Sequence, residues 1–419
     1  MKKLSKDNKS LLANFFSLST LQALNMLLPL VILPYLVRVL GVENFGLINF
    51  SLSIVMYFSI FVSFGFDLSA TREISTNRTD SKKISEIFSS VMLIKTAFAL
   101  VSFIVLYVLV MTIDKLQVHS LLYFVTYGII VGNVLLPIWF FQGIEQMKYI
   151  TYVNVASKVG VTILVFIFVQ ERDDFIYVPA LNAAGAILGG LGSLWIAIKY
   201  FKIKFYFPSK NVMLSRLLES YHYFLSRIAN SGSRYYATTI IGVFFGNALV
   251  GYYSMVEKLF YAFLSIGGVI SQTIYPYMSR TKNIRFFKKV FLFVAVASIV
   301  VIVPTLIFNK MLLSFIFNVQ DEVLSTVFLI VFSGSLFGVL SSLLGYPLLA
   351  AFGYIKAANN SLIIASILYT LYITLIVLVT KNIYLVSFSI PLYMLIGFVI
   401  RIYHIHSYKL FSKVGQNEA

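Results

Sequence analysis

Hydrophobic positions along this chain come in long unbroken runs and not in alternation with polar ones. Stretches of about twenty apolar residues, each bounded by charges or turn residues, recur at about 11–37, 44–66, 84–110, 119–141, 150–169, 176–198, 217–244, 250–277, 286–308, 323–350, 358–380 and 384–406. Runs of that length match helices crossing a bilayer, whose hydrocarbon core takes roughly twenty residues at 1.5 Å rise. They do not resemble the ten-residue alternating segments of a membrane barrel. The pattern predicts an all-α membrane protein of about twelve transmembrane helices, with both termini on one side.

Composition removes the soluble alternative. Of 419 residues, 59% are hydrophobic and 12% charged, at a mean hydropathy of +0.89, which no water-facing surface of this size sustains. The formal net charge of +17 follows the span map: 23 of the 33 Lys and Arg fall on the side of the termini. Only five, Arg38, Lys115, Arg172, Lys310 and Lys381, fall on the other. This asymmetry places the termini in the cytoplasm and explains the basic balance without nucleic acid. Residues 1–10 read as a retained cytoplasmic leader, because the apolar run behind them is too long for a signal peptide. Cys is absent, which excludes disulfides, thiol nucleophiles and Cys metal sites.

Two halves of the chain resemble one another. An offset of 205 residues lays Asn25 on Asn230, Gly41 on Gly246 and Gly46 on Gly251; an offset of 210 lays Pro137 on Pro347 and Gly143 on Gly353. Six spans per half is an even number, so the copies share one orientation and predict two lobes about a pseudo-two-fold axis along the membrane normal. The N-lobe is expected over 11–198 and the C-lobe over 217–406. A short basic linker, 199–216, joins them and a tail, 407–419, follows, both cytoplasmic.

Five cations lie well inside the spans: Lys95, Lys158, Arg227, Arg234 and Lys258. Facing lipid, they would cost about 2.5–3.5 kcal/mol each near a helix centre, so they are expected to line a wet cavity. Long stems that snorkel to the interface are the competing account, strongest for Lys158 and Lys258. The only deeply placed acid is Glu257, with Asp67 and Glu86 at span ends, so the cavity should keep excess positive charge. Arg227, Asn230 and Arg234 share one helix face, and Gln22 with Asn25 form a similar stripe in the first half. Such amides serve equally as interhelical glue; the arginine forks favour phosphate. Tyr35, Tyr235, Tyr236, Tyr253 and Tyr261, on or beside these stripes, are candidates to stack on a sugar. Pro29 and Pro34 mark either a bendable gate or a fixed kink in the first span.

The segment LPYLVRVLGVENFGLINFS, followed by FGFDLSATREIS, resembles the opening of bacterial polysaccharide transporters, the Wzx-type O-antigen flippases of the multidrug/oligosaccharidyl-lipid/polysaccharide exporter superfamily. WFFQGIEQMKYITYVNVASKVG is a weaker match, and elsewhere the likeness rests on span count and hydropathy. The resemblance implies two six-helix bundles forming a V in the bacterial inner membrane. It implies a substrate of undecaprenyl pyrophosphate bearing an oligosaccharide repeat, moved to the periplasmic leaflet, with a polysaccharide polymerase and chain-length proteins as possible partners. Arg38 and Gly41 fall on the family's Arg-x-Leu-Gly-like end of span 1, and Arg72 with Glu73 on its Thr-Arg-Glu stretch. Arg38 fits a capping role as well as substrate contact.

The cationic residues are then expected to hold the pyrophosphate while rocking lobes alternate access. No GxxxxGK[ST] phosphate loop is present and no cofactor is expected. A cation-coupled drug exporter of the same superfamily is the nearest rival, although it calls for buried carboxylates and only Glu257, the candidate for ion coupling, qualifies. A membrane-embedded glycan polymerase or ligase is the second. It calls for placed acids and bases, whereas His119, His222, His404 and His406 lie near span ends and form no metal pair. The sequence therefore reads as a transporter and not an enzyme.

Overall fold

The computed structural model describes residues 6–228 and 232–410, with side chains from Leu27 onward apart from Ser226. Among the described residues every regular element is helical. Ten helical stretches are long and apolar enough to cross a membrane, from Leu27–Thr76 to Ile383–Ser407.

The difference from twelve has two sources. The first two runs lie in one element, α1 (Lys6–Ser63), helical through Pro29 and Pro34 and broken only at Gly41. At 58 residues a straight helix would be about 87 Å long against a core of about 30 Å, so α1 accounts for two crossings that meet at Gly41. The run at 217–244 instead falls on α9 (Lys210–Arg227), which carries too many charges to count as a span, and α10 (Ser233–Phe244), which at 12 residues is too short to cross by itself.

The chain forms two compact units, Met1–Tyr235 and Tyr236–Ala419. In the first, α1 is followed by α2 (Phe66–Thr76), α3 (Ser81–Thr112), α4 (Asp114–Gln117), α5 (Ser120–Leu135), α6 (Ile138–Gly143), α7 (Met147–Phe168) and α8 (Tyr177–Trp195). Its core gathers Phe66, Ile74, Phe88, Trp139, Phe140 and Phe141. Small residues draw α5 and α8 together: a Cβ on Gly132 would lie 2.4 Å from the Ala186 carbonyl carbon. The division falls at Tyr235, beyond the basic stretch 199–216, because α9 is bound to α1 and α2 through the contacts described below.

The second unit holds most of α10, then α11 (Asn247–Thr281), α12 (Ile284–Ile307), α13 (Asn309–Phe317), α14 (Glu322–Phe332), α15 (Ser335–Leu343), α16 (Ile355–Val379), α17 (Ile383–Ser387) and α18 (Ser389–Ser407). Phe287, Leu343, Leu348, Leu349 and Ile405 lie in its core. Arg401, one of the 23 cations assigned by sequence to the side of the termini, at the end of the last predicted span, is buried in α18. Its Nε donates to Ser361 Oγ at 2.9 Å and its Nη1 to Ser341 Oγ at 3.0 Å, with Ser341 O a further acceptor. These acceptors satisfy a guanidinium that burial would otherwise penalise.

The repeat has a conformational counterpart. Gly41 adopts φ 77, ψ 165 and Gly246, its partner at offset 205, adopts φ 101, ψ 170. Both lie in a region that residues with a Cβ rarely enter.

Candidate functional site

The first unit concentrates its charge where α2 meets α9. Phe64 and Gly65, both at positive φ (41 and 78), turn the chain from α1 into α2. A Cβ on Gly65 would sit 2.7 Å from Tyr223 Cβ and 2.9 Å from Phe224 N, so only glycine lets α9 pass this closely. Phe64 stacks on Phe224 with ring centroids 4.5 Å apart.

Three polar contacts then zip the antiparallel helices. Asp67 pairs with Arg227, Ser69 Oγ and Ser220 Oγ are 2.7 Å apart, and Glu73 pairs with Arg216. Arg216 was expected as a linker cation in water; it is buried because Glu73 provides its counter-charge. Behind it lies a small cavity, with room for about one water, lined by Ser69, Glu73, Arg216, Glu219 and Ser220 among others. The buried Arg216 Nε has no protein acceptor.

Lys95 completes the cluster. Its side chain on α3 is 3% exposed, and Nζ donates to the Asn133 carbonyl at 3.1 Å. It lies in the electrostatic field of both Asp67 and Arg227. Two cations thus share one carboxylate, and a net positive charge remains beside the buried Lys95. Thr71 Oγ1, donating within 3.2 Å of the Trp139 carbonyl, holds α2 against α6 below the cluster.

The other expected residues are placed differently. Lys158 is exposed midway along α7, and Arg234 is exposed in the first turn of α10. Lys258 is half-buried on α11 in the second unit, next to Glu257, whose Oε2 accepts from Thr238 Oγ1 at 3.3 Å. Gln22 and Asn25 belong to α1, but their side chains, like the whole of Asn230, lie outside the described residues. Arg38 and Arg72 are exposed. Tyr253 is fully buried and cannot stack on a sugar; Tyr35 is half-buried, its hydroxyl donating to the Val169 carbonyl at 2.7 Å.

The structure brings Lys95 and Arg227, both expected to line a wet cavity, into one cluster with Lys95 buried, and the sequence reading missed that Asp67 and Glu73 answer the arginines. The available signal was weak: Asp67 and Glu73 are the two acids of a short helix directly after a span. Their partners stand 160 and 143 residues away.

The fold is shared with solved membrane proteins. It superposes on the lipid II flippase MurJ in an inward closed conformation with a TM-score of 0.72, covering 97% of this chain and 90% of that one at 14% identity. An inward-facing multidrug resistance MATE family transporter of the MOP superfamily superposes with a TM-score of 0.64, covering 92% and 96% at 14% identity. Residues 11–282 match the polysaccharide biosynthesis protein family, to which the chain belongs. The protein named "Putative O-antigen transporter" of Escherichia coli (strain K12) is 30% identical over 272 residues, which span 65% of this chain and 66% of that relative. The Shigella dysenteriae protein of the same name is 26% identical over 369 residues, 86% of this chain and 91% of that one.

Proposed function

We propose that this protein is a flippase for undecaprenyl-pyrophosphate-linked repeat units of O-antigen or capsule, and that Lys95 and Arg227 receive the pyrophosphate. The observation that carries this reading is the cluster of two cations with the single carboxylate of Asp67. A pyrophosphate entering there offers more negative charge than Asp67 and suits the fork of Arg227. It would take over the guanidinium and free the zipper between α2 and α9. The family match, the named relatives and the transporter fold support the substrate class. The site would then open alternately to the cytoplasm and the periplasm, with the termini cytoplasmic. An inside-negative potential favours outward movement of anionic charge by about 2.3 kcal/mol per charge per 100 mV.

The test follows leaflet exchange of a labelled undecaprenyl-pyrophosphate oligosaccharide in proteoliposomes. Exchange that requires the protein and falls in Arg227→Gln and Lys95→Gln supports the assignment. Unchanged exchange in both folded variants overturns it.

A further inference from the structure

Between α8 and α9 the chain does not loop freely. A π-helical turn, Ile196–Tyr200, unwinds the end of α8, Lys202 at φ 54 turns the chain, and residues 203–208, outside any helix, then run along α3. Lys204 N donates to Ser85 Oγ at 3.2 Å, Tyr206 N donates to Ser89 Oγ at 2.9 Å, and Ile203 N donates to the Ala197 carbonyl at 3.3 Å. Ile203 is buried in the core of the unit. The segment is a fixed strap with one face inward.

Its other face combines aromatic rings and lysines. Tyr200, Phe205 and Phe207 are 65%, 51% and 89% exposed. Lys199, Lys202, Lys204 and Lys210 are exposed between and beside them and form no ion pair among the described residues. Two acids at this end are already engaged: Asp80 caps α3 through Lys83 N, and Glu145 pairs with Arg78.

The length of α3 sets the depth of the strap. At 32 residues it is about 48 Å long, exceeding a hydrocarbon core of about 30 Å by some 9 Å at each end. Ser85 and Ser89 stand about 6 and 12 Å from its first residue. With the excess of α3 shared equally between its ends, Lys204 opposite Ser85 falls about 3 Å outside the hydrocarbon edge and Tyr206 opposite Ser89 about 3 Å inside it, so Phe205 and Phe207 lie where rings meet acyl chains and Lys199, Lys202 and Lys204 towards the phosphates. Lysine stems and aromatic rings are the side chains that fit this layer, and clustered lysines there attract anionic lipid.

We propose that residues 199–210 form a docking surface for anionic phospholipid headgroups, anchored by Phe205 and Phe207. This does not depend on the flippase reading, since it concerns the bilayer around the protein and not its cargo.

Phe207→Trp in a Trp195→Phe background, reconstituted in vesicles, reports the strap once the emission and quenching of the Trp195→Phe parent, which keeps only the buried Trp139, are subtracted. The vesicles contain phosphatidylglycerol or phosphatidylcholine brominated high on the acyl chain, at equal mole fraction. Expected is stronger quenching by the brominated phosphatidylglycerol, by about twofold. This preference should disappear in Lys199→Gln/Lys202→Gln/Lys204→Gln and weaken at high salt. Quenching by neither lipid would mean the strap stands in water or under another protein, and overturns the proposal. Equal quenching by both, unmoved by the lysine changes, overturns the anionic preference. Should the triple variant fail to fold, Lys204→Gln alone and the salt series decide.

Discussion

Arg227, the last residue of α9, is ion-paired with Asp67 in the first turn of α2. Both side chains are about one-third exposed, so solvent screens the pair and its worth lies below that of a fully buried one. Neutralising either partner leaves the other charge near a membrane-embedded cluster. Asp67→Asn should lower thermal stability and Arg227→Gln should do likewise, while the double variant recovers part of the loss. A coupling energy of about 1–2 kcal/mol is expected from a double-mutant cycle followed by thermal unfolding in detergent. Strict additivity would show that the two charges do not act on each other.

Lys95 separates stability from transport. A buried cation held by a neutral carbonyl is expensive, and exchanging it for an apolar residue of similar length is often neutral or stabilising. Lys95→Met should therefore keep or raise the melting temperature while lowering leaflet exchange of the lipid-linked glycan. A variant that melts lower and transports normally would assign Lys95 to the scaffold.

Much of this was legible in the order of residues, and what was not has a physical reason. Apolar runs set the span positions to within a few residues because a bilayer punishes every exception, as at α3 and α16. Local hydropathy could not place Arg216 or Arg401. Each lies in a polar or span-end context that reads as cytoplasmic loop, and each is buried by partners distant in the chain. Arg216 answers Glu73, while Arg401 answers Ser341 and Ser361. The charge surplus expected of a cavity counted Asp67 only as a span-end acid, because its partner Arg227 is set by the fold of α9 over Gly65. Proline drew attention in the first span, yet the backbone departs from helix at Gly41.

Gly41 and Gly246 test the duplication at the level of backbone conformation. Neither has a crowded Cβ direction: the nearest atom to a Cβ on Gly41 is Arg172 Nε at 3.9 Å, and nothing lies within 4 Å for Gly246. Any cost of Gly41→Ala or Gly246→Ala must then come from positive φ, and about 1–3 kcal/mol is expected for each by thermal unfolding. Gly192→Ala is the control, within helix α8 and with open space around its Cβ. It should be neutral or stabilising by up to about 1 kcal/mol. Equal effects at all three positions would remove the conformational reading.

Glu257 is the remaining acid at depth, on α11, with Thr238 Oγ1 donating to it at 3.3 Å. Tyr253 and Tyr261 stand one turn away on either side, and Tyr369 of α16 completes the group of tyrosines whose field it shares. A carboxylate inside a span costs energy that a purely structural contact would not require, which favours a role in binding a coupling proton or cation. Glu257→Gln is nearly isosteric and still accepts from Thr238, so a structural role predicts that it is tolerated at least as well as Glu257→Asp, which shortens the reach. A coupling role predicts the reverse order. Leaflet exchange driven by an ion gradient should fall about tenfold or more in Glu257→Gln, equivalent to at least about 1.4 kcal/mol, and stay near normal in Glu257→Asp. The opposite ranking would leave Glu257 as a packing partner of Thr238 and place the coupling elsewhere.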